Sequence, residues 1–214
     1  MAALKLSLWT SLAVAAVNAV AGTATAWVLV RDRFRGKAVI NALIDLPFAL
    51  PTIVVGIILL ALVGPTSPVG IHAIATTWAI LLALLFVTLP FVVRSVQPVV
   101  QELDEEMEEA AASLGASSIT IFRRVVLPNL VPAIRWGIAY GVVLTTARAI
   151  GEFGAVSVVS GRIAGQTQTL TLLVEQRFQN FDLAGAYAAS ALLGVIAIAT
   201  LLAMTLLKPR KDHG

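Results

Sequence analysis

Five apolar stretches dominate the chain, each long enough or nearly long enough to cross a bilayer, which takes about 20 mostly apolar residues. They run from Leu6 to Val30, Val39 to Val63, Ile74 to Val93, Leu130 to Val159 and Leu183 to Leu207. In hydrocarbon, backbone N–H and C=O groups must be satisfied within the protein, so such stretches fold as helices. Only 13% of the residues are charged, against about 25% in a typical soluble domain. Too few polar groups remain to cover a water-facing surface. This excludes a disordered chain, a nucleic-acid binder and a soluble enzyme. The expectation is an all-α polytopic membrane protein with about five transmembrane helices, forming a single domain over residues 1–214.

The absence of cysteine excludes disulfides, thiolate catalysis and cysteine-ligated metals. His72 and His213 are too far apart in sequence to point to a metal cluster. The first stretch is too long for a signal-peptide core, and its basic residues follow it rather than precede it. It reads as a retained helix.

Basic residues then set orientation. Arg31, Arg33, Arg35 and Lys37 follow the first stretch. Arg94, Arg123 and Arg124 fall in the linker after the third, and Lys208, Arg210 and Lys211 follow the fifth. The opposite linkers hold only Arg162 and Arg177. The positive-inside rule places the basic linkers and the C-terminus in the cytoplasm, with the N-terminus outside. Such a start implies either reversed insertion of the first helix or a further helix upstream of this reading frame. No internal repeat is visible, which argues against an inverted-repeat secondary transporter.

The linker over residues 94–128 is long enough to have structure or function of its own. It reads as two short helices. Gln101 to Leu114 places Leu103, Met107, Ala110, Ala111 and Leu114 at helical spacing, amid Glu102, Asp104, Glu105, Glu106, Glu108 and Glu109. Gly115 stops that helix from the C′ position. Ser117 or Ser118 caps a second helix carrying Ile119, Ile121, Phe122, Val125 and Val126, and Pro128 is expected to end the unit. From composition alone this is either a solvated amphipathic linker or an element that docks into a groove on a partner.

The spacing of its fixed residues is more specific. Glu109-Ala110-Ala111, three residues, Gly115, nine residues, Val125, one residue and Leu127-Pro128 resembles the EAA loop of ABC-importer permeases. Val125 stands where isoleucine is usual. Elsewhere Asp45-Leu46-Pro47-Phe48-Ala49-Leu50-Pro51 and Leu89-Pro90-Phe91-Val92-Val93-Arg94 look like the sulfate and molybdate importer permeases. Ala147-Arg148-Ala149-Ile150-Gly151-Glu152-Phe153-Gly154-Ala155-Val156 and Gln168-Thr169-Leu170-Thr171-Leu172-Leu173-Val174-Glu175 look closest to the second permease subunit of sulfate/thiosulfate importers.

That resemblance implies a type I ABC-importer permease fold in the bacterial cytoplasmic (inner) membrane, embedded in lipid. Glu109, Ala110, Ala111, Gly115, Leu127 and Pro128 would form a coupling helix seated on an ATPase subunit. The partners implied are ABC ATPase subunits, a second permease subunit and a periplasmic or extracellular sulfate-binding protein, with no nucleic acid. ATP and Mg would be held by the ATPase, and this chain would carry no cofactor, no metal and no enzymatic activity. Two alternatives stay open: a molybdate/tungstate permease and, more remotely, an ion-coupled secondary anion carrier.

Energetics points the same way. Bringing an anion inward against a negative interior costs about 2.3 kcal/mol per charge per 100 mV. A phosphate-binding loop needs G-x-x-x-x-G-K-[ST]. Here Gly36-Lys37 is followed by Ala38, and Arg31 replaces the first glycine. The chain thus shows no nucleotide site of that type, and the resemblance to ABC-importer permeases implies a separate ATPase subunit as the source of energy.

Arg148 and Glu152 read as the only deep charges, four residues apart and so on one helical face. Intramembrane charges face the bundle interior or a watery cavity. Either they pair to fix packing, or they gate or line the anion path. Gly151 and Gly154 invite a break beside Glu152, and Pro47 and Pro51 do the same in the second stretch. Non-helical backbone at that depth lines a cavity or is buried in protein. The glycines equally suit close helix packing. In the outer linker from Gly161 to Asp182, Leu170, Leu172, Leu173 and Val174 predict a short interfacial helix.

Overall fold

The structure is a computed structural model that describes residues 1–68, 70–103 and 106–207. Asp104, Glu105, Lys208, Arg210, Lys211 and His213 lie outside the described residues. The described chain is helical throughout. Helix α1 spans Ala2–Arg31. The second apolar stretch forms α2 (Lys37–Ala49) and α3 (Thr52–Val63), which meet at 117°. Helix α4 spans Thr77–Gln101, α5 Glu106–Ser113 and α6 Ser118–Ile121. A π turn over Phe122–Val126 leads into α7 (Leu127–Ile150), followed by α8 (Gly154–Val159), α9 (Leu170–Gln179) and α10 (Leu183–Leu207). Among the described residues four helices are long and apolar enough to cross a membrane, and the bent α2–α3 pair has the length and composition of either a fifth, broken span or a re-entrant loop.

The core lies where α1, α4 and α7 pack together. Val92, Val93, Val96 and Val100 of α4 are buried with Ala26 and Leu29 of α1 and Leu130 and Ile134 of α7. Gly22 and Gly141 let α1 and α7 approach α4 closely: a Cβ at Gly141 would lie 3.0 Å from Val92 Cα. Asn18 donates to Thr88 Oγ1 at 2.9 Å, a buried bond that ties α1 to α4.

Several expectations change. Arg94 is not in a linker, because α4 continues through Gln101. Gln101 ends α4 instead of opening the first linker helix, which is described from Glu106. Pro128 does not end the unit; it opens α7, where a missing N–H is tolerated. The chain stays helical from Ser118 to Ile150 because the π turn absorbs the proline: Leu127 N–H bonds back to Phe122 C=O. Pro47 sits buried inside α2 without breaking it, while Pro51 marks the actual break. The stretch from Leu130 to Val159 is two helices interrupted at residues 151–153.

Candidate functional site

The EAA-like segment projects from the bundle. Helix α5 buries none of its residues. It ends as its sequence requires: Gly115 takes φ +80°, Ala116 N–H bonds to Ala111 C=O at 3.1 Å and Gly115 N–H to Ala112 C=O at 2.9 Å. This is a Schellman closure, which needs the left-handed region that glycine enters freely. Ser117, not Ser118, caps α6 by accepting from Thr120 N–H at 3.4 Å.

Glu109, Ala110 and Gly115 are exposed, Ala111 is half-buried, and Leu127 and Pro128 are exposed one helical stretch away. Leu114 is 88% exposed and Ile119 73% exposed. Two apolar side chains left this bare beside a rigid turn form an unpartnered surface. One side of α5 is tied down. Arg31, at the end of α1, pairs with Glu108 at 3.2 Å, donates to Leu103 C=O and lies over the Trp27 ring. Trp27 in turn meets Phe122 edge-on. The end of α1 and the EAA-like segment therefore share one side of the molecule.

The second site is the break between α7 and α8. Arg148 Nη1 lies 2.5 Å from Glu152 Oε2. The Glu152 side chain is 1% exposed and that of Arg148 33%. Glu152 Oε1 accepts from Ala155 N–H at 2.8 Å, so the carboxylate also caps α8. Thr171 of α9 donates to Glu152 C=O at 2.9 Å, satisfying a carbonyl that the broken helix leaves free. Gly151 is exposed, and a Cβ there would meet nothing closer than 3.6 Å. Gly154 differs: a Cβ would sit 2.8 Å from Ile53 N and against Thr52. The break beside Glu152 thus packs directly on the break after Pro51, with α3 and α8 in contact. Of the two sequence-level roles for the glycines, close packing belongs to Gly154 and an open helix end to Gly151.

A second, more open ion pair lies between two apolar helices. Asp45 of α2 and Arg94 of α4 meet in a bidentate pair, Nε to Oδ1 at 2.8 Å and Nη2 to Oδ2 at 2.6 Å. Asp45 is the single acidic residue of its apolar stretch, a signal that could have marked it. Two cavities of about 610 Å³ each flank this region. One lies among α4, α7, α9 and α10 and is lined by Arg148, Gly151 and Thr171. The other lies among α2, α4 and α7 and is lined by Arg94, Ser95, Trp136 and Tyr140.

The linker from Gly161 to Asp182 forms the short helix its leucines predict. Leu170 and Leu172 of α9 are buried, and Ser7 of α1 accepts from Leu170 N–H at 2.8 Å. Arg162 pairs with Glu175 and Arg177 with Asp182. Asp182 caps α10, and the N–H of Gly185 together with Arg177 holds its carboxyl below the ordinary aspartate range. Among the described residues no group of three or more histidine, aspartate or glutamate side chains converges in a way that could hold a metal ion.

The chain thus combines a projecting helix-turn-helix on one side of a bundle of four to five candidate spans with two helix breaks that meet inside it. Residues 18–213 match the family model of the binding-protein-dependent transport system inner membrane component. The chain belongs to this family. It is 44% identical over 99% of its length to the sulfate transport system permease protein CysW of Synechocystis sp., covering 78% of that protein. It is likewise 44% identical to CysW of Escherichia coli, over 92% of this chain and 69% of that one. Against the sulfate transport system permease protein CysT of Salmonella typhimurium it is 43% identical over 94% of this chain and 73% of that one.

Solved structures show the same fold. A bacterial ABC transporter that imports the polysaccharide alginate superposes with TM-score 0.68 over 97% of this permease and 79% of its own chain, at 12% identity. The MetNI methionine ABC transporter gives TM-score 0.55 over 97% of both chains, at 17% identity. The permease is therefore a multi-pass helical membrane protein with the ABC-importer permease fold.

Proposed function

We propose that this permease moves sulfate or thiosulfate into the cytoplasm as one of the two membrane subunits of a binding-protein-dependent ABC importer. The observation that carries this reading is the similarity to sulfate permeases over nearly the whole chain. Nothing in the comparisons favours molybdate. The similarity to CysW and to CysT is nearly equal, which fits either member of a sulfate permease pair.

The projecting EAA-like unit then faces the cytoplasm and seats on the ATPase subunit that binds ATP and Mg. Glu109, Ala110 and Ala111 offer a small, close-approaching face, and Gly115 sets the angle to α6. The basic residues around the end of α1 share that side, in keeping with the positive-inside rule. The C-terminus and the EAA-like loop are then both cytoplasmic, and the outer linkers face a sulfate-binding protein.

Within the membrane, Arg148 is the cation that lines its cavity. Among the described residues Glu152 is its one polar contact, and the rest of the guanidinium is left for a passing oxyanion. Glu152 offsets its charge, so the anion meets a near-neutral site that holds it weakly and lets it leave. Gly151, Gly154, Pro47 and Pro51 shape the two helix breaks beside this path.

Labelled sulfate uptake in membranes holding the two permeases, the ATPase and the binding protein tests the reading. ATP-dependent uptake lost with Gly115→Val, at unchanged permease abundance, is the expected result. Uptake that needs neither ATP nor the ATPase would overturn it in favour of a self-sufficient carrier.

A further inference from the structure

We propose that the Arg94–Asp45 ion pair is a latch that holds an aromatic plug between the two cavities. The proposal rests on the transport reading above and adds the residues that close the path. Among the described residues, the two cavities share only Phe91 of α4 and Leu144 of α7. The two helices run antiparallel, since Gly141 meets Val92 while Gly137 meets Ser95 and Val99. At 1.5 Å per residue, Arg148 stands about 6 Å to one side of the Phe91–Leu144 level and Arg94 about 4.5 Å to the other.

Phe91 is held in place from α2, because the Phe48 ring meets it edge-on, with centroids 5.2 Å apart and planes at 90°. Helix α2 is weakly anchored otherwise. It buries only Ile44 and Pro47, and it joins α3 through the bend at Pro51. The strongest polar tie between α2 and the bundle is Arg94. Its Nε and Nη2 bind the Asp45 carboxylate, Nη1 donates to Asn41 Oδ1 and to Gln97 Oε1, and Nη2 also reaches Asn41 C=O.

A guanidinium with all its nitrogens engaged has no donor left for a passing anion, in contrast to Arg148. Arg94 is a positioning residue: it pins α2, α2 carries Phe48, and Phe48 sets Phe91. Breaking the pair frees α2 to pivot at Pro51, withdraws Phe48 and lets the Phe91 ring turn, so that the two cavities join.

The cysteine-free chain makes a direct test possible. Ser95→Cys places one thiol on the Arg94-side cavity, and a membrane-impermeant thiol reagent is added from the opposite, outer face to the assembled transporter without nucleotide. Phe48→Ala and Asp45→Asn are expected to raise the labelling rate about tenfold, the ratio given by about 1.4 kcal/mol of latch energy. The exchanged pair Asp45→Arg with Arg94→Asp should return it toward the parent rate. Unchanged labelling in Phe48→Ala and Asp45→Asn, with the complex assembled, would overturn the latch. Phe48→Leu keeps apolar bulk while removing the ring contact, and its labelling rate decides in the same way if the alanine variant does not assemble. Sulfate uptake by the transporter with Ser95 unchanged separates the two readings. Its absence counts against the transport assignment, whereas intact uptake with unchanged labelling counts against the latch alone.

Discussion

Arg148 reaches Glu152 at 2.5 Å across the end of a broken helix, yet only the glutamate is closed off from its surroundings. The asymmetry makes the two residues unequal under mutation. Arg148→Met strands a buried carboxylate without its counter-charge, a loss toward the lower end of about 3–5 kcal/mol because the arginine is partly open. Glu152→Gln added to it should recover most of that stability. Thermal melting of the purified transporter checks this. If Arg148 contacts the anion, the double variant melts near the parent but stays defective in uptake.

Gly151 and Gly154 should respond oppositely to alanine. A Cβ at Gly154 presses on Ile53 N and Thr52, where the two helix breaks meet, while one at Gly151 touches only ordinary contacts. Gly154→Ala is expected to cost about 1–3 kcal/mol, and Gly151→Ala close to nothing. Melting temperatures of the two variants, measured side by side, decide.

In the EAA-like unit the expected damage is to the turn. No neighbour lies within 4 Å of a Cβ built at Gly115, so a substitution there acts through the backbone, which sits at φ +80°. A β-branched residue in the left-handed region costs roughly 1–2 kcal/mol. Gly115→Val should therefore shift α6 relative to α5, and a bulky residue at Glu109 should obstruct the docking face. Reduced co-purification of the ATPase, or uptake lost without loss of ATPase binding, is the expected outcome. Normal values of both would contradict the assignment of this loop.

In the linker before α10, the carboxyl of Asp182 is held low by Gly185 N–H and Arg177. A lowered folded-state pKa stabilises above the unfolded value and loses that contribution as pH falls through the folded one. The start of α10 should stay capped at neutral pH and fray in acid below the ordinary aspartate range. Hydrogen exchange at Leu183 to Ala186 checks this, and Asp182→Ala should show the frayed exchange at neutral pH as well.

Much of the architecture was legible because hydrophobic length is a strong signal in membrane proteins. The helix stop at Gly115, the cap at Ser117, the helix at Leu170 and the break beside Glu152 all follow from local chemistry. What escaped depends on tertiary context. Pro128 reads as a terminator, but a π turn absorbs it at the start of α7. Arg94 looks like one more basic linker residue until α4 proves about two turns longer and brings it to Asp45. The meeting of Gly154 with Thr52 joins two distant segments, and nothing in either one reveals the other.

The anion proposed for this permease is sulfate. The most direct measurement is labelled sulfate uptake in source cells with the gene disrupted, with molybdate uptake followed in parallel. Sulfate uptake is expected to be lost and to return with the restored gene, while molybdate uptake stays unaffected. Intact sulfate uptake with molybdate uptake lost would contradict the sulfate assignment.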